Sequence, residues 1–306
     1  MKTKGKIIIN DVGPRDGLQN QKKHLSVDER VALINALVAA GLPAIEVGAF
    51  VSPKAVPAMA GTDEVIHQLE AKDKVAYSVL IPNERGFSTG VELNVPLMSL
   101  VVAASTTMNE KNIRMTTNQA LSMSSDVLAL ATQLNRRVQA YVATAWECPF
   151  EGHISVDEVI KVSAALLDAG AAHIVVADTI GAASPDQVHV LMSKMVSEFG
   201  ANKLSCHFHD TRAMGVANVY AAIEAGIRQF DASIAGLGGC PFAPGATGNV
   251  ATEDVVLLVE QMGYSTGIDM GLLLAASDKA KALTGTARGG HAKTWLEQQE
   301  NKRGSK

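Results

Sequence analysis

The run Lys203-Leu204-Ser205-Cys206-His207-Phe208-His209-Asp210-Thr211 places two histidines two positions apart in a short, largely apolar segment. Successive side chains of a β-strand point to opposite faces, so the two imidazoles would stand side by side, with Cys206 on the other face. Imidazole is the commonest protein ligand of divalent metals. The run therefore predicts a strand over Leu204–His209 that offers two ligands to a metal ion. The plainer alternative is that one or both histidines hold structural positions with hydrogen-bond partners.

Seven other short apolar runs have the same strand-like character, and amphipathic segments with helical periodicity lie between them. The runs are Ile7–Gly13, Ala44–Phe50, Val75–Ile81, Leu97–Ala104, Gln139–Ala145, His173–Asp178 and Phe230–Ala235. Eight β-α units in a chain of 306 residues predict an α/β fold of the (β/α)₈ TIM-barrel type. A doubly wound open sheet is the alternative, but no Gly-x-Gly-x-x-Gly turn follows the first run to support it.

The chain contains no linker or low-complexity segment, so we expect a single TIM-barrel domain over residues 1–306. The barrel would span about residues 6–260, followed by a C-terminal helical extension over about residues 268–298. Within this extension, Gly271–Ala282 has the pattern of an additional helix. The polar tail Leu296–Lys306 is expected to fray.

Composition and charge narrow the class of protein. Hydrophobic residues make up 47% of the chain and charged residues 19%, which suits a large globular core. A net charge of −4 without a Lys/Arg block argues against nucleic acid and membrane as partners and favours a small molecule. The three widely spaced cysteines and the lack of a secretory apolar core near the N-terminus favour a cytoplasmic location.

Polar residues lie at or near the ends of these runs and indicate a functional site there. Barrel enzymes carry their catalytic groups at the C-terminal ends of the strands. Arg15 and Asp16 follow the first run, Glu46 lies in the second, and the two histidines lie in the seventh. Charged groups are costly in a barrel interior unless they are paired or bind a metal. Asp16, His207 and His209 would together offer one carboxylate and two imidazoles, a set that suits an octahedral divalent ion.

Each of these residues also has a plainer interpretation. Asp16 precedes a glycine and is compatible with an ordinary turn. Arg15 is either a solvated charge or a group that polarises a carbonyl or neutralises an enolate. Glu46 would otherwise form a structural ion pair. Cys240 lies in the glycine-rich loop that follows the eighth run and would act as an acid/base or nucleophile only if its pKa were lowered.

At these residues the chain resembles the 3-hydroxy-3-methylglutaryl-CoA (HMG-CoA) lyase family of metal-dependent TIM-barrel lyases. The motifs that carry the resemblance are, in order, Asp11–Asn20, Phe50–Lys54, Lys111–Ile113, Cys148–Gly152, Asp178–Gly181, His207–Thr211 and Ala235–Asn249. The resemblance covers about residues 7–275. It implies a homodimer whose partner is a small-molecule acyl-CoA and whose cofactor is a divalent metal, Mg²⁺ or Mn²⁺.

Carried over by position, the resemblance also assigns roles to individual residues. It implies metal ligation by Asp16, His207 and His209 with Asn249 at or near the ion, enolate stabilisation by Arg15, proton handling by Glu46, and acid/base chemistry by Cys240. The implied reaction is a retro-Claisen cleavage of HMG-CoA to acetyl-CoA and acetoacetate.

Departures from the family pattern bear on the substrate. Arg212–Gly215 stands where relatives usually have Tyr-Gly-Gln-Ala, and Ala145–Glu147 and Leu283–Arg288 also differ. The first two segments belong to loops that would shape a substrate pocket, and the third lies near the CoA-binding end, where Arg288 or Lys22 could contact phosphate. The alternatives are a paralogous lyase for another 3-hydroxy-3-substituted acyl-CoA, a Claisen-type synthase or aldolase, and a non-catalytic acyl-CoA binder.

Overall fold

Eight parallel strands close into a barrel in the computed structural model, which describes residues 3–71, 73–239 and 248–304. The barrel strands are β1 (Ile8–Asp11), β2 (Ala44–Ala49), β3 (Ala76–Leu80), β4 (Leu97–Ala103), β5 (Val138–Ala143), β8 (Ile174–Asp178), β9 (Leu204–Phe208) and β10 (Gln229–Ala232). Outside the barrel, β6 (Glu147–Cys148) and β7 (Gly152–His153) form a short antiparallel pair. Around the barrel the order is β1, β10, β9, β8, β5, β4, β3, β2, with β2 closing on β1. The TIM-barrel prediction is confirmed, and each of the eight predicted runs overlaps a barrel strand, although β5 and β10 each begin one residue before the predicted run.

Helices follow the strands and surround the barrel. In the described residues they are α1 (Val27–Ala39), α2 (Thr62–Gln68), α3 (Glu84–Glu92), α4 (Thr106–Ile113), α5 (Thr117–Gln133), α6 (Val156–Asp168), α7 (Pro185–Phe199), α8 (Gly215–Glu224), α9 (Thr252–Gln261), α10 (Met270–Thr284) and α11 (Lys293–Gly304). Ser26, Thr116 and Ser184 each form a capping box with the residue three positions later, which satisfies N–H groups that a helix start leaves free. None of the described helices is long and apolar enough to cross a membrane.

The C-terminal extension contains two helices where the sequence indicated one. Helix α10 matches the predicted helix, but α11 continues to Gly304, so the expectation of a frayed tail from Leu296 onward is wrong. Leu296 is buried, and the ammonium of Lys293 forms an ion pair with Asp278 of α10. The sequence signal was weak because few apolar side chains anchor this helix, and its polar residues make the contacts that periodicity does not detect.

The pairing of β2 with β3 is irregular immediately after Glu46. The pairing register of β2 against β3 shifts between Glu46 and Gly48. A Cβ at Gly48 would lie 2.5 Å from Oγ1 of Thr62 and 2.8 Å from Nη2 of Arg30, so only glycine fits this approach. The buried Arg30 guanidinium donates hydrogen bonds to the carbonyl oxygens of Val47 and Ala60. This packing fixes the end of β2 just beyond the site residue.

Candidate metal centre and active site

Asp16, His207 and His209 come together at the C-terminal mouth of the barrel. One potential ligand atom from each residue lies within 4.8 Å of those of the other two. Both histidines are buried on the same face of the β9 segment, with ring centroids 5.2 Å apart, as the two-residue period requires. Cys206 points into the core on the other face, as expected. The structure thus brings Asp16 next to two histidines that lie almost 200 positions further along the sequence. The role of the three residues as ligands remains a prediction.

A single π-helical turn, Gly13–Gly17, aims Arg15 and Asp16 into the barrel mouth. The turn follows β1 directly, and the amide of Gly13 donates to Oδ1 of Asp11 at 2.9 Å. A Cβ at Gly13 would lie 2.8 Å from the same oxygen, so the turn needs glycine there. The turn explains why adjacent residues in the sequence both serve one site.

The donor set fits a divalent cation. Nδ2 of Asn249 donates to Oδ2 of Asp16 at 2.7 Å and to the carbonyl oxygen of Leu237 at 3.1 Å. Oδ1 of Asn249 is buried without a hydrogen-bond partner among the described residues, and so is Nδ1 of His209. Buried polar atoms normally have partners, so unsatisfied atoms beside a carboxylate point to a missing ligand. A carboxylate, two imidazoles and an amide oxygen form a set that Mg²⁺ or Mn²⁺ accepts.

Arg15 connects the cation site to Glu46. Its Nε donates to Oε2 of Glu46 at 2.6 Å, and Nη1 donates to Oδ1 of Asp16 at 2.9 Å. Burial raises the pKa of the Glu46 carboxyl to about 7, against the opposing charge of Arg15. For Asp16 burial acts in the same direction, but the charges of Arg15 and the two histidines prevail and hold its pKa below the ordinary value. The site therefore contains one carboxyl that stays ionised and one that can exchange a proton near neutrality.

The two histidines have different surroundings. Burial and the neighbouring His207 lower the pKa of His209 to about 4, so its ring is neutral and free to bind a metal. Burial also acts to lower the pKa of His207, but a hydrogen bond with Asp231 outweighs it and raises the value. Sequence reasoning missed Asp231. The available signal was a carboxylate inside the apolar run Phe230–Ala235.

Cys240 lies outside the described residues, so its predicted role as acid/base stays a prediction. The described ends of its loop lie beside the site. Gly239 accepts a hydrogen bond from Nδ2 of Asn20 at 3.0 Å, and Gly248 accepts one from the amide of Asp210 at 3.0 Å. Oδ1 of Asp210 also accepts a hydrogen bond from the amide of Gly215, at the start of α8, at 2.7 Å.

Two cavities open beside the candidate centre. One, of about 540 Å³, is bordered by Arg15, Asp16 and both histidines and extends between apolar side chains that include Leu80, Val101, Met108 and Met123. The other, of about 870 Å³, is bordered by Asn249 and by Arg212, Arg288 and His291. The centre therefore faces an apolar cavity on one side and, on the other, a polar one whose lining includes both arginines and the carboxylates of Asp210 and Asp254.

A closed parallel barrel with a clustered carboxylate and imidazoles at its C-terminal mouth defines the class as a TIM-barrel protein with a candidate divalent-metal centre. The HMGL-like family model matches residues 6–279. The chain belongs to the HMGL-like family, as the motifs indicated, and is an enzyme of the carbon–carbon lyase class.

Individual relatives match over almost the full length. A hydroxymethylglutaryl-CoA lyase from Pseudomonas mevalonii is 43% identical over 281 residues, which cover 92% of this chain and 93% of that protein. A 3-hydroxy-3-isohexenylglutaryl-CoA/hydroxy-methylglutaryl-CoA lyase from Pseudomonas aeruginosa is 40% identical over 94% of this chain and 96% of its own length. The crystal structure of hydroxymethylglutaryl-CoA lyase from Pseudomonas aeruginosa has a TM-score of 0.93 at 39% identity and covers 98% of this chain and 100% of that chain.

Proposed function

We propose that the protein is a divalent-metal-dependent lyase that cleaves HMG-CoA to acetyl-CoA and acetoacetate. The observation that carries the proposal is the cluster of Asp16, His207 and His209, with Arg15 beside it, at the mouth of an HMGL-like barrel. Asn249 completes the set of residues that would hold the ion. When bound, Mg²⁺ or Mn²⁺ would lower the cost of forming the alkoxide from the tertiary hydroxyl of the substrate.

The proton transfers and the stabilisation of the enolate would be carried out by side chains of the protein. Removal of the proton from the tertiary hydroxyl of the substrate allows the C2–C3 bond to break, and the hydroxyl carbon becomes the ketone of acetoacetate. The electron pair of the broken bond passes to the thioester as an enolate, and protonation of that enolate gives acetyl-CoA. Arg15 places a fixed positive charge next to the cation site and would stabilise the enolate oxygen. Glu46 holds the Arg15 guanidinium and has a pKa near neutrality, which suits proton handling. Cys240 is proposed as the acid/base on the glycine-rich loop, so Cys240→Ser should lose most turnover and keep metal binding.

The two cavities suggest how an acyl-CoA would lie. The polar cavity has Arg212 and Arg288 at its wall and suits the CoA portion, with Arg288 as the candidate phosphate contact. We further propose a single catalytic domain over residues 1–306, a homodimer and a cytoplasmic location. Light scattering coupled to gel filtration tests the dimer directly.

A second candidate is a paralogous substrate with a larger group at C3. A methyl group needs little of an apolar cavity of about 540 Å³, and one relative is named for both a 3-isohexenyl and a 3-methyl substrate. Burial of each additional CH₂ in such a cavity contributes about 0.8 kcal/mol. The longer substrate would therefore be favoured through its specificity constant.

The deciding experiment incubates metal-stripped protein with HMG-CoA or its 3-isohexenyl homologue, with and without Mg²⁺ or Mn²⁺. Acetyl-CoA and the keto acid are measured, and Asp16→Asn is compared with Asp126→Asn, which changes an exposed carboxylate of α5 far from the cluster in the sequence and outside both cavities. Metal-dependent cleavage of HMG-CoA at about 1–10³ s⁻¹, lost in Asp16→Asn alone, supports the main proposal. A specificity constant at least tenfold higher for the homologue selects the second candidate. Net condensation of the products would favour a synthase, and binding without turnover would favour a non-catalytic binder.

A further inference from the structure

A buried carboxylate lies in the barrel interior just below the candidate metal centre. Asp231 belongs to β10, between Phe230 and Ala232, and is 4% exposed. In the barrel register it is directly opposite Asn10 of β1 on one side and His207 of β9 on the other. Three adjacent strands therefore contribute one polar residue each to the same layer. Burial of a carboxylate is costly unless donors surround it, so the contacts of Asp231 indicate what holds it there.

Each oxygen of Asp231 accepts hydrogen bonds. Oδ1 accepts from Nδ2 of Asn10 at 2.8 Å. Oδ2 accepts from the hydroxyl of Tyr141 at 2.7 Å and lies 3.1 Å from Nδ1 of His207. A carboxylate only accepts, so this contact requires the proton of the neutral His207 ring to be on Nδ1. Nε2 is then left with a free lone pair for a cation.

The other histidine lacks such support. Nδ1 of His209 is buried and has no hydrogen-bond partner among the described residues. The ring of His207, by contrast, lies within hydrogen-bond distance of Asp231 and packs against Tyr141 in a T-shaped arrangement, with ring centroids 6.0 Å apart. The two imidazoles of the centre are thus unequal: within the part of the chain that the structure describes, His207 has a partner that sets its tautomer and orientation, and Nδ1 of His209 has none.

We infer that Asp231 is a positioning residue for the metal centre. Its carboxylate accepts a hydrogen bond from Nδ1 of His207 and thereby holds the ring with Nε2 presented to the ion. The inference rests on the metal role given to His207 in the proposed function. Mutation of a residue that accepts a hydrogen bond from a metal-ligating histidine typically weakens metal affinity by about 10–100-fold. If the carboxylate of Asp231 were purely structural, its replacement would lower the stability of the barrel and leave the metal affinity unchanged.

The test is titration of metal-free protein with Mn²⁺, with the free ion measured by its electron paramagnetic resonance signal. Asp231→Ala should bind Mn²⁺ about 10–100-fold more weakly than the wild-type protein. Asp231→Asn should recover most of that affinity, because an amide oxygen can still accept from Nδ1 of His207 while Asn10 turns its own amide to accept from the new NH₂ group. Asn10→Ala is the matched control, since it removes a hydrogen bond to the same carboxylate without touching His207, and its affinity should stay near that of the wild type.

Thermal unfolding of each variant establishes that it is folded. If Asp231→Ala does not fold, Asp231→Glu replaces it, because the added methylene displaces the carboxylate from His207 and should also weaken binding. A folded variant of either kind with wild-type Mn²⁺ affinity overturns the inference, as does a wild-type protein that binds no Mn²⁺. HMG-CoA turnover is measured separately. Weakened Mn²⁺ binding in Asp231→Ala together with no HMG-CoA cleavage by the wild type would contradict the proposed substrate and leave the positioning role standing.

Discussion

Arg15 contacts both Glu46, the proposed proton-handling residue, and Asp16, a candidate metal ligand. Its guanidinium bridges Glu46 and Asp16 through different nitrogens, and it borders the apolar cavity. Lysine cannot reproduce this fork, because its ammonium is a point charge on a flexible stem. The charge next to the cation site therefore depends on the shape of arginine as well as on its sign.

Replacement of Arg15 by methionine should lower kcat by about 10²–10³-fold, the range for loss of one group that stabilises an oxyanion. Mn²⁺ binding should persist, because Asp16, His207 and His209 remain. Steady-state kinetics and Mn²⁺ titration on the same preparation separate the two effects. A variant that loses metal affinity and turnover in equal proportion would assign Arg15 to the metal centre instead.

Asp11 gives a prediction for the pH dependence of stability. Burial raises the pKa of its carboxyl to about 7, against hydrogen bonds from Thr252 and Gly13. Between about pH 4 and pH 7 the folded protein retains a proton that the unfolded chain has released, so the free energy of unfolding falls as pH rises across this window. In Asp11→Asn, Oδ1 can still accept from Gly13 and Nδ2 can donate to the Thr252 hydroxyl, so the fold should be kept.

Denaturant unfolding of the wild type and Asp11→Asn at intervals from pH 4.5 to 8 measures this effect. The wild type should lose stability more steeply with rising pH than the variant, by up to about 1.4 kcal/mol for each pKa unit of the shift. Parallel pH profiles for the two proteins would show that Asp11 does not carry the shift.

At the scale of elements, Asn109 joins the end of β4 to α4 and α5. Its side chain accepts from the amide of Ala103 at 2.8 Å and donates to the carbonyl oxygen of the same residue at 2.9 Å, as a neighbouring strand would. It also donates to the carbonyl oxygen of Ser105 and to the hydroxyl of Thr117. One buried amide thus satisfies the backbone at a strand end that lies beside the apolar cavity.

We expect Asn109→Asp to lower the free energy of unfolding by about 2–3 kcal/mol, because the lost NH₂ group leaves buried acceptors unpaired. Asn112→Asp makes the same chemical change on an exposed position of the same helix and should stay within about 0.5 kcal/mol of the wild type. Urea denaturation of both variants provides the measurement. Equal losses in the two would attribute the effect to added charge on α4.

At the scale of the whole molecule, α9 holds the C-terminal extension against the barrel. The carboxylate of Asp254 accepts from the amides of His291 and Ala292 at 2.7 and 2.9 Å, and that of Glu253 accepts from the amide of Gly290 at 2.9 Å. The segment held in this way forms one wall of the polar cavity. The extension is therefore part of the architecture of the proposed acyl-CoA site.

Asp254→Ala should raise KM for the acyl-CoA substrate several-fold with a smaller change in kcat, because the cavity wall loses two of its anchors while the metal centre is untouched. Gln298→Ala, on an exposed position of α11, is the control and should leave KM unchanged. Substrate saturation curves at fixed Mn²⁺ give both constants. An unaltered KM in Asp254→Ala would separate the extension from substrate binding.

The sequence by itself determined the elements and part of the site. Alternating and helical patterns located the eight barrel strands, and the two-residue period placed His207 and His209 on one face, because both depend only on local geometry. The tertiary structure decided which distant residues meet: Asp231 lies within hydrogen-bond distance of Nδ1 of His207, Asn249 has a buried oxygen with no partner among the described residues, and α11 packs against α10. These contacts join positions far apart in the chain, and barrel closure sets their register. No local pattern encodes that register, so only the folded molecule reveals it.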